Sequence, residues 1–165
     1  MTTDEEWLRA AYGVAGWSPD PSTQNGGILI NADGIEIARC CNEFPLDVKY
    51  TPARWERPLK YSLIEHAERN LIYSAARRGL STCDSTMFVP WAACADCARA
   101  IIQAGVVRLV RHHDATVHGA GGNWDGSISI ADAMLNEAGV EITDVVGRLM
   151  PNEFFIWHNG EYWSP

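Results

Sequence analysis

Hydrophobic and polar residues recur along this chain with two different periods, which indicates both helices and strands. Apolar residues at helical spacing over 5–18 predict an amphipathic helix. A short apolar run at 26–30, a turn signal at 31–34 and an alternating segment at 35–40 predict a β-hairpin. The next segment, 42–60, carries three prolines and predicts an irregular loop.

Helices and strands alternate over the rest of the chain. Helices that each end before a glycine are predicted at 65–78, 94–104 and 127–138. The strands predicted beside them are 86–89, 106–111 and 140–146. Four glycines within 112–126 predict a loop there. The order predicts an α/β fold with a five-stranded mixed sheet, mostly parallel after its opening hairpin, and helices on both faces.

The length of 165 residues suits one domain over residues 1–165, ending in an aromatic tail at 150–165. An apolar content of 47% and a charged content of 21% are ordinary for a globular protein. No apolar run approaches the roughly 18 residues of a membrane span, and the first residues are acidic rather than signal-like. We therefore expect a cytoplasmic protein without a membrane partner.

The net charge of −8 disfavours a nucleic-acid partner, because binding a polyanion requires a basic surface. The nearest approach to a basic cluster is Arg54, Arg57 and Lys60. A small anionic nucleotide is still allowed, since one phosphate needs only one or two local donors.

One imidazole, two thiols and one carboxylate occur at spacings typical of a hydrolytic zinc site. His66 and Glu68 are two residues apart, and Cys94 and Cys97 are three apart, so both sulfurs can face one metal from the first turn of a helix. Three protein ligands leave one tetrahedral position of Zn²⁺ for water, and Glu68 is placed to move protons. A structural zinc site is the alternative, and it would require a fourth ligand such as His112 or His113.

Both parts of this pattern match the H-x-E and C-x-x-C signature of zinc nucleobase deaminases. The segment 64–70 resembles the first zinc motif of the cytidine and deoxycytidylate (dCMP) deaminase superfamily, and 94–105 resembles the second motif with its helix. Segment 20–28 is similar to the D-P-x-x-Q-V-G-A segment of dCMP deaminases, and 42–45 falls where they have N-G-x-P. The resemblance runs from about residue 7 to residue 146. It implies a three-layer α/β/α sandwich of the cytidine deaminase type.

The resemblance also implies a reaction and a set of roles. Zn²⁺ held by the three ligands activates water, and Glu68 shuttles protons while a cytosine nucleotide such as dCMP loses ammonia. We expect Asn42 to contact the sugar and Asn70 to support the pocket or the loop of Asn42. The predicted layout itself adds two roles: free backbone N–H groups at the helix start near Ala67 would orient the substrate, and Trp91, on the turn just before Cys94, would stack near the base. His113 falls where the family completes its nucleotide pocket, although a solvated loop histidine is the alternative.

Three positions depart from the family pattern. Ala93 replaces the proline before the first motif cysteine, Asn25-Gly26-Gly27 replaces V-G-A, and Ser18-Pro19 stands where dCMP deaminases tend to carry a basic residue for phosphate. Deamination of a free nucleoside, a free base or a modified cytosine therefore stays open. So does a catalytically silent zinc-stabilised binding module. Family resemblance also implies a homo-oligomer, a dimer or a hexamer.

Overall fold

A five-stranded mixed sheet forms the centre of the fold in the computed structural model, which describes residues 2–122 and 124–165. The strands are β1 Gly26–Ile30, β2 Glu36–Cys41, β3 Ser85–Phe88, β4 Val106–His112 and β5 Glu141–Val145. Their order across the sheet is β2-β1-β3-β4-β5. Strand β1 is antiparallel to both β2 and β3, whereas β3, β4 and β5 are parallel. The predicted five-stranded mixed sheet is confirmed.

Helices flank this sheet. They are α1 Asp4–Ala15, α2 Leu59–Leu63, α3 Ala67–Arg77, α4 Ala95–Gln103, α5 His113–His118 and α6 Asp125–Glu137, with a 3₁₀ turn at Pro52–Trp55. A separate two-stranded hairpin follows, formed by β6 Ile156–His158 and β7 Glu161–Trp163.

Two buried clusters pack on opposite faces of the sheet. On one face, α3, α4 and α6 bury apolar side chains that include Leu71, Ile101 and Leu135 against Leu29, Met87 and Leu109. On the other face, α1 buries Leu8, Ala11 and Tyr12 against Ile28, Phe88 and Val110. Alternate residues of a strand point to opposite faces, which is why β1 contributes Ile28 to one cluster and Leu29 to the other. The three-layer arrangement predicted from the sequence is confirmed.

The described residues of segment 112–126, which was predicted as a loop, include the end of β4, all of α5 and the start of α6, so that prediction was wrong. Strand β4 extends to His112, and helix α5 follows at once. The glycines of this segment begin only at Gly119, so they end α5 rather than preventing it. The predicted loop 42–60 likewise contains the 3₁₀ turn and the start of α2. Pro52 lies at the start of the 3₁₀ turn, where a missing N–H costs no hydrogen bond.

The aromatic tail packs back onto the α1 side of the sheet. Ile156 is fully buried there, and Phe154 and Trp163 pack against the same cluster. The hairpin turn has positive φ angles at Asn159 and Gly160, which are the residue types that tolerate that conformation. Within the described residues, none of the helices has the length and apolar character that crossing a membrane requires.

Gly26 allows α1 to approach β1 closely. A Cβ at this position would lie 2.2 Å from the backbone nitrogen of Ala15 and 2.6 Å from the carbonyl oxygen of Ala11. Because backbone atoms cannot move aside, we expect Gly26→Ala to lower the free energy of unfolding by about 1–3 kcal/mol or more. Urea denaturation followed by circular dichroism measures this difference.

Gly126→Ala in α6 is the matched control, because a Cβ there meets no atom within 4 Å. Alanine is the better helix former, so this variant should be about as stable as the wild type or up to ~1 kcal/mol more stable. Equal stability of the two variants would contradict the close approach at Gly26.

Candidate active site

Two helix N-termini bring the predicted metal ligands together. His66 is the N-cap of α3, Cys94 is the N-cap of α4, and Cys97 lies in the first turn of α4. The Nδ1 atom of His66 is 3.6 Å from Sγ of Cys94 and 3.5 Å from Sγ of Cys97. All three ligand atoms lie within 4.8 Å of one another, and no other group of three such side chains occurs in the described part of the chain. The three ligand side chains thus converge on one point.

The two thiols strongly affect each other's protonation. Interaction with Cys97 is the largest cause that lowers the pKa of Cys94 to about 3, against the opposing effect of burial. The same interaction, together with burial, raises the pKa of Cys97. Arg69 adds positive charge beside the pair, with Nη1 3.6 Å from Sγ of Cys97, and Glu65 holds that guanidinium at 2.5 Å. A divalent cation between the sulfurs would favour the thiolate form of both.

Glu68 is the buried carboxyl of the site. Its side chain is in the first turn of α3, only 2% of the residue is exposed, and Oε2 has no hydrogen-bond partner among the described residues. Burial is the main cause that raises the pKa of this carboxyl. A buried oxygen without a partner is costly in a purely structural role. One nitrogen and two sulfurs beside such a carboxyl form a donor set that fits a zinc ion with an open position.

A single cavity opens from these groups to the surface. Its lining includes His66, Glu68 and Cys94. Two predicted substrate residues, Asn42 and Trp91, also line it. Its lining also includes Asp20, Thr23, Arg57, Lys60, Tyr61, His158 and Asn159.

The amide of Asn42 is almost fully used within the protein. Its Nδ2 donates to Oδ2 of Asp20 at 3.0 Å and to the carbonyl of Thr23 at 2.8 Å, and its Oδ1 accepts from the backbone N–H of Asn25 at 2.7 Å. An amide oxygen has two lone pairs, so Oδ1 retains one acceptor position. Asn42 thus organises the segment at the pocket edge and can still accept one hydrogen bond.

Three other predicted substrate residues lie outside the lining of the cavity. Asn70 donates from Nδ2 to the carbonyl of Cys41 at 2.9 Å, one residue before Asn42. Ala67 is fully buried in the first turn of α3. His113 is half exposed and lies 3.3 Å from Asp114. Its neighbour His112 is buried, so neither histidine of this pair is part of the ligand group.

Both ring nitrogens of His112 are committed to the protein. Nδ1 lies 2.6 Å from the hydroxyl of Tyr12 and Nε2 lies 2.8 Å from the carbonyl of Gly147. The carbonyl can only accept, so Nε2 carries the proton and Nδ1 accepts from Tyr12. Burial is the main cause that lowers the pKa of His112. This residue links α1, β4 and the segment after β5, and has no nitrogen left for a metal.

The sequence did not reveal the buried ion pair at the pocket edge. Nζ of Lys60 is 2.7 Å from Oδ1 of Asp20, and both side chains are at most 5% exposed. The same Asp20 oxygen accepts from the backbone N–H groups of Ser22 and Thr23. Lys60 had been predicted to lie in an irregular loop, and periodicity carries no information on a partner 40 residues away. The only available signal was the basic cluster that contains Lys60.

Comparison with known proteins agrees with this geometry. Residues 1–113 match the family model of the cytidine and deoxycytidylate deaminase zinc-binding region. An uncharacterized deaminase in the luxG 3′ region of Aliivibrio fischeri is 33% identical over 139 residues, which is 84% of this chain and 90% of that protein. Human deoxycytidylate deaminase is 28% identical over 120 residues, covering 67% of this chain and 66% of the human protein.

Solved structures show the same fold. The dCMP deaminase of cyanophage S-TIM5, in complex with dCMP and dUMP, superposes with a TM-score of 0.67 at 21% identity and covers 86% of this chain and 95% of that one. The match of the family model includes both zinc motifs, and the three ligand side chains meet as the motifs require. This chain is therefore a member of the cytidine and deoxycytidylate deaminase family.

Proposed function

We propose that this protein is a zinc-dependent deaminase of a cytosine nucleotide, with dCMP as the simplest substrate and ammonia and dUMP as products. The observation that carries the proposal is Glu68, a buried carboxyl with an unpartnered oxygen in the same cavity as His66 and Cys94. A binding module that uses zinc only for stability would have no need for this carboxyl.

His66, Cys94 and Cys97 would hold Zn²⁺, which when bound would supply an acidified water molecule. Glu68 would accept a proton from the attacking water as the water oxygen bonds to C4 of the ring. Glu68 would deliver that proton to N3, then take the proton of the new C4 hydroxyl and pass it to the exocyclic nitrogen. The C4–N bond then breaks, the C4 carbonyl forms and ammonia leaves. The raised pKa of Glu68 suits this exchange, because a general acid–base group works best when its pKa approaches the working pH.

The charges at the pocket edge favour a substrate with a phosphate. Arg57 lines the cavity, donates from Nη2 to Oγ of Ser22 at 3.2 Å, and has no carboxylate within 4.0 Å among the described residues. Its guanidinium also lies 5.6 Å from the ring centre of Tyr61. Lys60 is paired with Asp20, so among the described residues that line the cavity Arg57 is the Lys or Arg side chain available to an anion. We infer that Arg57 replaces the basic residue that Ser18-Pro19 lacks.

Zinc binding is expected at one ion per chain. Cys97→Ser should reduce the zinc content of the purified protein to below about one tenth, because a neutral hydroxyl is a poor replacement for a thiolate ligand. Elemental analysis after dialysis measures the ratio. Cys83→Ser is the control, since that thiol is exposed and lies outside the ligand group. Equal zinc contents in the two variants would show that the sulfur of Cys97 is not a ligand.

Removal of the Glu68 carboxylate should abolish proton transfer but not metal binding. We expect Glu68→Gln to lower kcat for ammonia release from dCMP by about 10²–10⁴-fold while the zinc content is unchanged. Asp96→Asn is the control, because this carboxylate lies one residue before Cys97 but is exposed and pairs with Arg99. The deaminase proposal fails if the wild type releases no more ammonia than Glu68→Gln from dCMP, CMP, deoxycytidine, cytosine and 5-substituted dCMP.

The phosphate contact should be visible in substrate preference. Arg57→Ala is expected to lower kcat/KM for dCMP by about tenfold or more and to change kcat/KM for deoxycytidine by less than threefold, because a charged hydrogen bond contributes roughly 1.5–3 kcal/mol. Arg54→Ala removes a nearby cation that donates to the carbonyl of Lys49 and does not line the cavity. A wild type that prefers deoxycytidine or free cytosine to dCMP would support the alternative substrates instead.

A further inference from the structure

The C-terminal hairpin forms part of the pocket wall, although it lies outside the residues that match the family model. In β6, Ile156 and His158 share one face, and the register pairs Ile156 with Trp163. Trp157 and Tyr162 pair on the opposite face with their rings stacked at 3.9 Å. His158 and the next residue, Asn159, both line the cavity. The hairpin therefore has an inner face directed at the pocket and an outer face directed away from it.

Aromatic contacts fix the inner face against helix α5 and against the segment between β3 and α4, which leads to Cys94. The ring of His158 stacks on Trp91 with centroids 4.4 Å apart and planes at 16°. Trp163 stacks on His118 at 4.6 Å. Trp91 in turn donates from Nε1 to the carbonyl of Gln24 at 3.0 Å. Trp91 therefore presents one face to the hairpin, and its position in the pocket depends on that contact.

Hydrogen bonds fix the turn of the hairpin beside the segment that carries the pocket edge. The N–H of Gly160 donates to the carbonyl of Ser22 at 2.8 Å, and the N–H of Asn159 donates to Oγ1 of Thr23 at 3.1 Å. The N–H of Gln24 donates to the carbonyl of Trp157 at 2.8 Å. Ser22 is also the residue whose hydroxyl accepts from Arg57. Through this shared neighbour, the turn lies next to the cation that we assign to the phosphate.

We propose that the turn of the C-terminal hairpin, through His158 and Asn159, contacts the sugar and phosphate of the substrate and sets the preference for a nucleotide over a nucleoside. The proposal rests on the proposed function, which places the reacting ring at Glu68 and the phosphate at Arg57. The side chains of the turn then face the part of the substrate between those two ends.

The chemistry of the turn suits this role. Burial, with a smaller effect of His118, lowers the pKa of His158 to about 4, so the ring is neutral near pH 7. Nδ2 of Asn159 lies 3.4 Å from Nε2 of His158, so the neutral ring accepts there and keeps Nδ1–H as a donor. The amide of Asn159 keeps its oxygen as an acceptor and one N–H as a donor. These groups can bind sugar hydroxyls and phosphate oxygens without adding a second fixed charge.

The test uses the full-length, zinc-loaded protein and the variant Asn159→Asp. A carboxylate at this position would repel the phosphate and compete for Arg57. We expect a decrease of about tenfold in kcat/KM for dCMP, with a change of less than threefold for deoxycytidine. The dissociation constant of the product dUMP, measured by calorimetry, should rise by about tenfold, whereas that of deoxyuridine should not.

Two further variants separate this effect from loss of folding. Phe155→Asp adds the same charge on the outer side of the hairpin, where the ring is half exposed and does not line the cavity. This variant should leave kcat/KM for dCMP and the dissociation constant of dUMP unchanged. Asn159→Gly removes the amide, and glycine tolerates the φ of +52° at this position. This variant should lower kcat/KM for dCMP, but by less than Asn159→Asp does.

Each result decides the proposal. Equal effects of Asn159→Asp on dCMP and deoxycytidine, or equal effects of Asn159→Asp and Phe155→Asp, overturn it. A wild type that deaminates only free cytosine and binds no dUMP overturns it too, while the deaminase activity stands. If the wild type binds dUMP but releases no ammonia from any cytosine compound, the proposed activity is wrong. The dUMP dissociation constants of the variants then still decide the role of the hairpin.

Discussion

The active site depends on two helices that begin without side-chain caps of their own. An N-cap side chain normally accepts a hydrogen bond from the first turn, as Thr3 does for α1 in a capping box with Glu6. The N-cap side chains of α3 and α4, His66 and Cys94, make no such bond and turn toward each other. A lost cap costs about 0.5–2 kcal/mol per helix. A metal bound by both side chains would offset that cost, so the ligand geometry and the start of both helices depend on one another.

A second constraint holds the pocket edge in place. Asp20 accepts hydrogen bonds from Lys60, Asn42 and the backbone that follows it. Buried ion pairs are stable only when their remaining polar groups are also satisfied, and here the backbone and the amide satisfy the carboxylate. The network joins residues from α2, from the end of β2 and from the approach to β1. It keeps an otherwise irregular segment in one conformation beside the reacting groups.

Local pattern and spacing predicted most of the sheet, the order of elements and the ligand group, because those features repeat within a few residues. They failed where structure depends on distant partners. The loop predicted at 112–126 was wrong, because helix α5 begins directly after β4 and the glycines lie only after that helix. The pocket edge collects residues near positions 20, 57 and 158, and no periodicity links them. The structural role of His112 follows from its hydrogen bond with Tyr12, and that of Lys60 from its ion pair with Asp20. Neither partner is close in sequence.

The hydrogen bonds between the C-terminal hairpin and segment 22–24 have a consequence for the order in which the protein assembles and loosens. They join residues separated by more than 130 positions, and contacts of that range form late because closing the chain costs entropy. Two strands of three residues are also held together by only a short ladder of hydrogen bonds, so such a unit opens more readily than the five-stranded sheet. A local opening of this hairpin would expose Ile156 and remove one wall of the pocket, while the zinc ligands at the starts of α3 and α4 would keep their positions.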